Sequence, residues 1–185
     1  MSRPTHLLKH EHRVIEKVMR ALDGLCWRLK NNEPVPNEAL VQMLDFIQNF
    51  TDGTHHAKEE QILFPVLERS GIENDENGPL GFLRREHATE RGLAQQLEQT
   101  MVEFQTGDEQ ARNRFATTAW QFRQHLVNHI EQEDSILFCL TEELLDDFDK
   151  DNLAYSLAHA NGKNGKHSTQ HYERVAQELE TAWAI

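Results

Sequence analysis

The chain states one short motif twice. His55-His56-Ala57-Lys58-Glu59-Glu60-Gln61-Ile62-Leu63-Phe64 and His129-Ile130-Glu131-Gln132-Glu133-Asp134-Ser135-Ile136-Leu137-Phe138 both read His, three residues, Glu, an acid, two residues, Leu-Phe. Positions four apart lie one turn above each other on a helix face, so each copy sets an imidazole beside a carboxylate. Both copies stand among apolar residues. Burying such groups without partners is costly, and a metal ion is the natural partner for them.

The repeat extends upstream. Leu8-Lys9-His10-Glu11-His12 and Leu83-Arg84-Arg85-Glu86-His87 share Leu-x-x-Glu-His, and the spacings from His12 to His55 and from His87 to His129 are 43 and 42 residues. The chain therefore reads as a doubled helical hairpin. Each half gives one histidine from its first helix and a His-x-x-x-Glu from its second. Four histidines and two glutamates, His12, His55, Glu59, His87, His129 and Glu133, form a ligand set sized for two metal ions.

Apolar periodicity places these residues on helices. Leu8, His12, Ile15, Met19, Leu22 and Cys26 make one stripe, which leaves His10 on the solvated side. This helix ends near Asn31-Asn32, and Glu33-Pro34-Val35-Pro36 is a stiff connector. Asn37 is read as the N-cap of a second helix, whose stripe runs through Leu40, Leu44, Ile47, Thr51, His55, Glu59, Ile62 and Val66. Its phase is carried through Gly53 and Pro65, which puts His56 and Glu60 on the wetter side as flanking residues. Gly71 stops it.

A third helix restarts at Gly78-Pro79, with Leu80, Leu83, His87, Glu90, Ala94, Leu97 and Met101 in line. Glu90 reads as an ion-pair partner before a ligand or proton donor. Gly107-Asp108 separates the fourth helix, with Asp108 as its cap. There Phe115, Thr118, Phe122, His125, His129, Glu133, Ile136 and Leu140 align. His125 reads as a hydrogen-bonded neighbour of the site. Thr141 is the expected cap of a fifth helix through Leu144, Leu145, Phe148, Leu153 and Leu157. Asn161 to Lys166 reads as a flexible turn, flanked by His159, His167 and His171 as surface residues. A last helix carries Tyr172, Val175, Leu179 and Trp183 across the bundle.

The fold expected is all-α: an up-down four-helix bundle over residues 1–140, with a C-terminal helical extension, 141–185, packed on it. A chain of 185 residues buries an ample core. Its formal net charge of −12 argues against nucleic acid and anionic membranes as partners. It has no apolar run long enough to span a bilayer and no leader-like N-terminus, so the expected location is the cytoplasm. Two cysteines, Cys26 and Cys139, make no disulfide framework and read as core filler. Eleven histidines are the anomaly.

Over residues 5 to 140, the paired Glu-His and His-x-x-x-Glu motifs resemble the hemerythrin-like family, also called the HHE cation-binding domain. That resemblance implies a non-haem centre of two Fe ions between four helices, bridged by carboxylates and an oxo or hydroxo group. It implies His12, His55, Glu59, His87, His129 and Glu133 as ligands, with Glu59 and Glu133 bridging. Oxygen-carrying hemerythrins have a second histidine four residues after the third-helix one, where this chain has Arg91. A set poorer in histidine leaves an open coordination position, which reaction requires and a carrier must guard. The Glu-x-x-His pair typical of ferritin-like carboxylate centres is absent.

The functional expectation is a di-iron protein that binds or turns over a small oxidant (dioxygen, hydrogen peroxide or nitric oxide) in oxidative or nitrosative stress or iron homeostasis. The electron donor is not named by the sequence. A reversible oxygen- or iron-binding sensor or carrier is the alternative, and a metal-free bundle with satisfied core histidines is the third reading.

Overall fold

The structure, a computed structural model, describes residues 4–106, 108–160 and 168–185. Among these the fold is all-α, without a strand. Helix α1 spans His6–Lys30 and α2 spans 37–69. Helix α3 spans Pro79–Gln105 and α4 spans 109–144. Two shorter helices follow, α5 at Asp147–Ala158 and α6 at Thr169–Trp183. The expected turn at 161–166, together with His167 and Gly107, lies outside the described residues.

Helices α1 to α4 are the up-down bundle. Short connections make consecutive helices antiparallel neighbours. After α1, Asn32 takes φ 58° and closes the helix end. Gly71 does the same after α2 at φ 95°, a left-handed conformation that suits glycine. Asp108 opens α4 as expected, its carboxylate accepting from the N–H groups of Gln110 and Ala111.

The interior comprises two apolar clusters. The larger one gathers Ile15, Leu22, Met43, Phe50, Phe115 and Phe122 and receives Tyr172 from α6. The smaller, at the other end, gathers Leu8, Leu63, Phe64, Leu80 and Phe138, and α5 closes it with Leu153 and Leu157. The His/Glu motifs fall between the two clusters on all four long helices. A band of buried polar residues thus crosses the bundle where an ordinary core would be apolar.

Helix α6 lies along α1 in the same direction. His10 meets Glu173, Lys17 meets Gln177 and Arg20 meets Glu180 at 2.7, 2.7 and 2.6 Å. Tyr172 packs its ring on Phe46 and Phe50 of α2, so α6 covers the seam between α1 and α2. Gly24 permits this approach: a Cβ there would stand 1.7 Å from the Trp183 carbonyl oxygen.

The main departure from the sequence reading is one of phase. Residues Ile47–His56, Glu59–Leu63 and Glu133–Leu137 are π-helical. Hydrogen bonds five residues apart put more residues in each turn than the α-helix does, so a 3.6-residue stripe slips. Beyond Glu59 the buried residues are Leu63, Phe64 and Leu67, where Ile62 and Val66 were expected. Beyond Glu133 they are Leu137, Phe138 and Thr141, and Ile136 is 58% exposed. The same slip leaves Cys139 exposed, whereas Cys26 is in the core as expected. Pro65, with no N–H to donate, sits just after the first of these paired π turns.

Two caps also differ. Pro36 takes the cap position of α2, its carbonyl accepting from Ala39 N–H at 3.1 Å, and Asn37 is already helical. Thr141 turns its hydroxyl back to the Leu137 carbonyl at 2.8 Å, which keeps it inside α4. The break falls instead at Leu145, and Asp146 caps α5 by accepting from Asp149 N–H.

Candidate metal centre

All six residues singled out by the repeat converge in the polar band, and each is completely buried. Their donor atoms form two groups that share Glu59. One group is His12, His55, Glu59 and Glu133, and the other is His56, Glu59, His87 and His129; within each, the atoms lie within 4.8 Å of one another. Glu59 presents one oxygen 3.4 Å from His55 Nε2 and the other 3.5 Å from His87 Nε2. Glu133 does likewise, at 3.4 Å from His129 Nε2 and 3.3 Å from His12 Nε2. Each carboxylate thus reaches from a histidine of its own helix to one of the other hairpin.

The outer nitrogens of the rings are held by a second set of carboxylates. His12 Nδ1 donates to Asp134 at 2.8 Å, and His87 Nδ1 donates to Glu60 at 2.9 Å. His55 Nδ1 donates to Glu11 at 3.1 Å. His129 Nδ1 has Glu86 at 3.9 Å. Such carboxylates fix the tautomer that leaves Nε2 lone pairs pointing inward, as metal-binding imidazoles require. The sequence carried this signal in duplicate. Glu11 and Glu86 are the acids of the Glu-His pairs, and Glu60 and Asp134 are the acids after the motif glutamates. The repeated Phe has a role too: Phe64 stacks on His87 and Phe138 on His12.

Cations close the outer ring. Lys58 and His55 share the carboxylate of Glu11, and Arg13 pairs with Asp134. Arg91 binds Asp52 at 2.6 Å and Glu60 at 2.7 Å.

One residue differs from expectation. His56 was placed on the wetter side, but it is 1% exposed and stacks on His87 with ring centroids 4.1 Å apart. The π-helical stretch Ile47–His56 widens the turn just before the motif, so the bundle interior takes both His55 and His56. Glu90, read as an ion-pair partner, is 2% exposed, with one oxygen 3.3 Å from His56 Nε2 and the other 3.9 Å from His125 Nε2. His125 itself is partly exposed and lies 3.6 Å from Glu86.

Most of the inward-facing atoms lack protein hydrogen bonds. His12 Nε2, His55 Nε2, both nitrogens of His56 and both oxygens of Glu59, Glu90 and Glu133 have no partner. The Nε2 atoms of His87 and His129 face each other at 3.1 Å. Buried polar groups left in this state cost free energy unless something binds them. Imidazole and carboxylate donors aimed at common points fit divalent metal ions, and the set contains no thiolate.

Protonation follows burial. It drives the imidazoles of His55 and His129 down to about 4 and that of His87 well below the usual range. These rings are neutral, as ligands must be. Burial, then the Glu133 charge, raises Glu59 well above the ordinary carboxylate range. Burial opposes the charge of Glu133 as well, but His129 and His12 outweigh it and hold Glu133 low. Burial would lower His12, yet Asp134 and Glu133 raise it. Burial and Glu133 raise Glu90 well above its ordinary value.

A family profile described as the hemerythrin HHE cation binding domain matches residues 3–141. Uncharacterised proteins of Mycobacterium bovis and of two strains of Mycobacterium tuberculosis are 26% identical over 131 residues, covering 71% of this chain and 50% of theirs. The chain therefore spans about half the length of these relatives. No solved structure matches it significantly. No helix among the described residues is long and apolar enough to cross a membrane.

Proposed function

The chain belongs to the hemerythrin HHE cation-binding family, and on that footing we propose that it is a non-haem di-iron protein that binds or turns over a small oxidant: dioxygen, hydrogen peroxide or nitric oxide. Oxidative or nitrosative stress, or iron homeostasis, is the setting this reading implies. The observation that carries it is the convergence of buried, unpartnered histidine and carboxylate atoms on two adjacent points. In this reading His12 and His55 hold one ion, and His87 and His129, with His56, hold the other. Glu59 and Glu133 serve both.

A bound iron pair supplies reversible redox change and a position for the small molecule. The protein supplies the rest. Glu11, Glu60 and Asp134 orient the imidazoles. Phe64 and Phe138 wall the centre and limit water. Glu90, whose pKa is raised by burial and the Glu133 charge, sets a carboxyl oxygen 3.3 Å from His56 Nε2. A buried carboxyl that can exchange a proton at that point favours turnover of an oxidant that must accept protons, such as hydrogen peroxide, over simple carriage.

The test is iron content together with near-ultraviolet and visible absorption. About two irons per chain are expected, from a ligand set that forms two groups. The spectrum should bleach and recover on adding peroxide. A stable oxygen adduct without consumption would support the carrier reading. His129→Ala should lose iron and lower the melting temperature; unchanged iron content in that variant would sink the assignment.

A further inference from the structure

The wall of the bundle is open beside the centre. A cleft of about 270 Å³ runs between α2 and α3, and its lining includes Thr51, Asp52, His56, Glu90, Arg91 and Glu98. Two other hollows, one around Gln96 and Thr117 and one around Pro79 and Ile136, contain none of the residues that converge on the centre.

Carboxylates stand in this cleft at three depths. Glu98 is exposed, Asp52 is half-buried and Glu90 is 2% exposed. Behind Glu90 comes His56, whose Nε2 is 3.3 Å from it and which belongs to the second donor group. Neither oxygen of Glu90, neither nitrogen of His56, nor the hydroxyl of Thr51 has a hydrogen-bond partner. Buried polar atoms of this kind, aimed into a cleft, are suited to a visitor that they can coordinate. Arg91 is the one cation in the lining, but it is turned onto Asp52 and Glu60.

The chemistry of the visitor follows from the sign of the charge. The one arginine is already engaged by Asp52 and Glu60, and Glu98 stands at the mouth, so the cleft, like the net charge of −12, disfavours an anion. A neutral molecule gains at most a hydrogen bond from each carboxylate. A divalent cation gains more, because it exchanges hydrating waters for one oxygen after another and ends on an imidazole.

We propose that this cleft is the loading route for divalent iron, with Glu98 and Asp52 gathering the ion, Glu90 passing it inward and His56 receiving it. The route rests on the metal-centre reading above, but its test is kinetic and needs no activity. The metal-stripped full chain is mixed with Co²⁺, and uptake is followed by visible absorption. Glu90→Gln, which removes a carboxyl that can give up its proton to an arriving ion, should slow uptake about tenfold, the lower end of what a charged cleft contributes to association, and leave the final stoichiometry unchanged. Gln95→Trp, which narrows the mouth at an exposed residue without changing charge, should slow it as well. Glu103→Gln, on α3 but outside the cleft, should load at the wild-type rate.

Wild-type rates in both the Glu90 and Gln95 variants would overturn the route, and so would equal slowing in the Glu103 control. A reduced final stoichiometry in Glu90→Gln would also overturn it, because Glu90 would then be a resident ligand. Failure of the wild-type chain to take up any metal would remove the centre and the route together, a result distinct from the others.

Discussion

The two donor groups are built from the same repeat, yet they are held differently. Around His12 and His55 the outer carboxylates are close: Asp134 at 2.8 Å and Glu11 at 3.1 Å. Glu11 is completely buried and carries Lys58 with it. Around His87 and His129 only Glu60 is close, and Glu86 stands 3.9 Å from its ring nitrogen. This second group also holds His56, whose counterpart in the repeat is Ile130, and it faces the cleft through Glu90. Duplication supplied two equal frames. Local changes then left one group with two close carboxylate braces and the other with one, beside the cleft.

The comparison can be broken most decisively at the ligands. His55→Ala should cost the chain both ions, since it removes a fully buried donor and frees one end of the shared Glu59. His56→Ala should keep the first ion and weaken the second by about 10- to 100-fold, the size seen when a supporting group of a metal site is removed. Metal titration by calorimetry separates the two variants. Equal losses would mean that the groups are equivalent after all.

Next in size is the difference in bracing. Glu11→Ala leaves Lys58 buried without its partner and should destabilise the metal-free fold by about 3–5 kcal/mol. Glu86→Ala removes a partly buried carboxylate that comes no nearer than 3.6 Å to a histidine nitrogen, and should cost about 1 kcal/mol or less. Denaturant unfolding of the two variants measures the gap, and similar midpoints would contradict the asymmetry drawn here.

The smallest and most gradual effect is that of pH. His55 and His129 have folded values near 4, below the 6.5 of an unconstrained imidazole, so the unfolded chain binds the extra protons. Their contribution is therefore full above pH 6.5 and is lost as pH falls towards 4. Each group owns one of these rings, so His55→Gln and His129→Gln should each flatten the acid side of a melting-temperature profile by a similar amount. His12 and Glu59 are shifted upward, so metal uptake displaces their protons and affinity should rise with pH. A pH-independent affinity would contradict that protonation pattern.

Much of this arrangement was legible before any coordinates. A motif repeated at near-equal spacing on amphipathic helices fixes a doubled hairpin, and the buried face of each helix must then meet its copy. That argument brought six residues to one place. It missed His56 because it carried an α-helical phase through residues 47–63, where most of the chain is π-helical. Nothing in the local composition marks a five-residue hydrogen-bond pattern. The same blindness exchanged Ile136 for Leu137 and placed Cys139 in the core. The braces Glu60 and Asp134 were visible as a repeated acid, but which histidine each serves is a contact between hairpins, and no local pattern encodes that.

The polar band between the two apolar clusters has a consequence for cooperativity. A small domain melts as one unit when a continuous interior couples its ends. Here the coupling must pass through a layer of imidazoles and carboxylates. Metal would bind that layer together, whereas its removal leaves unpaired groups at the waist of the bundle. Backbone amides near Phe50 and near Phe138 should then exchange with solvent on a common timescale in the loaded protein and on separate ones in the stripped protein. The metal state of the centre would be written into the opening of the whole bundle, where proteolysis or a partner could read it.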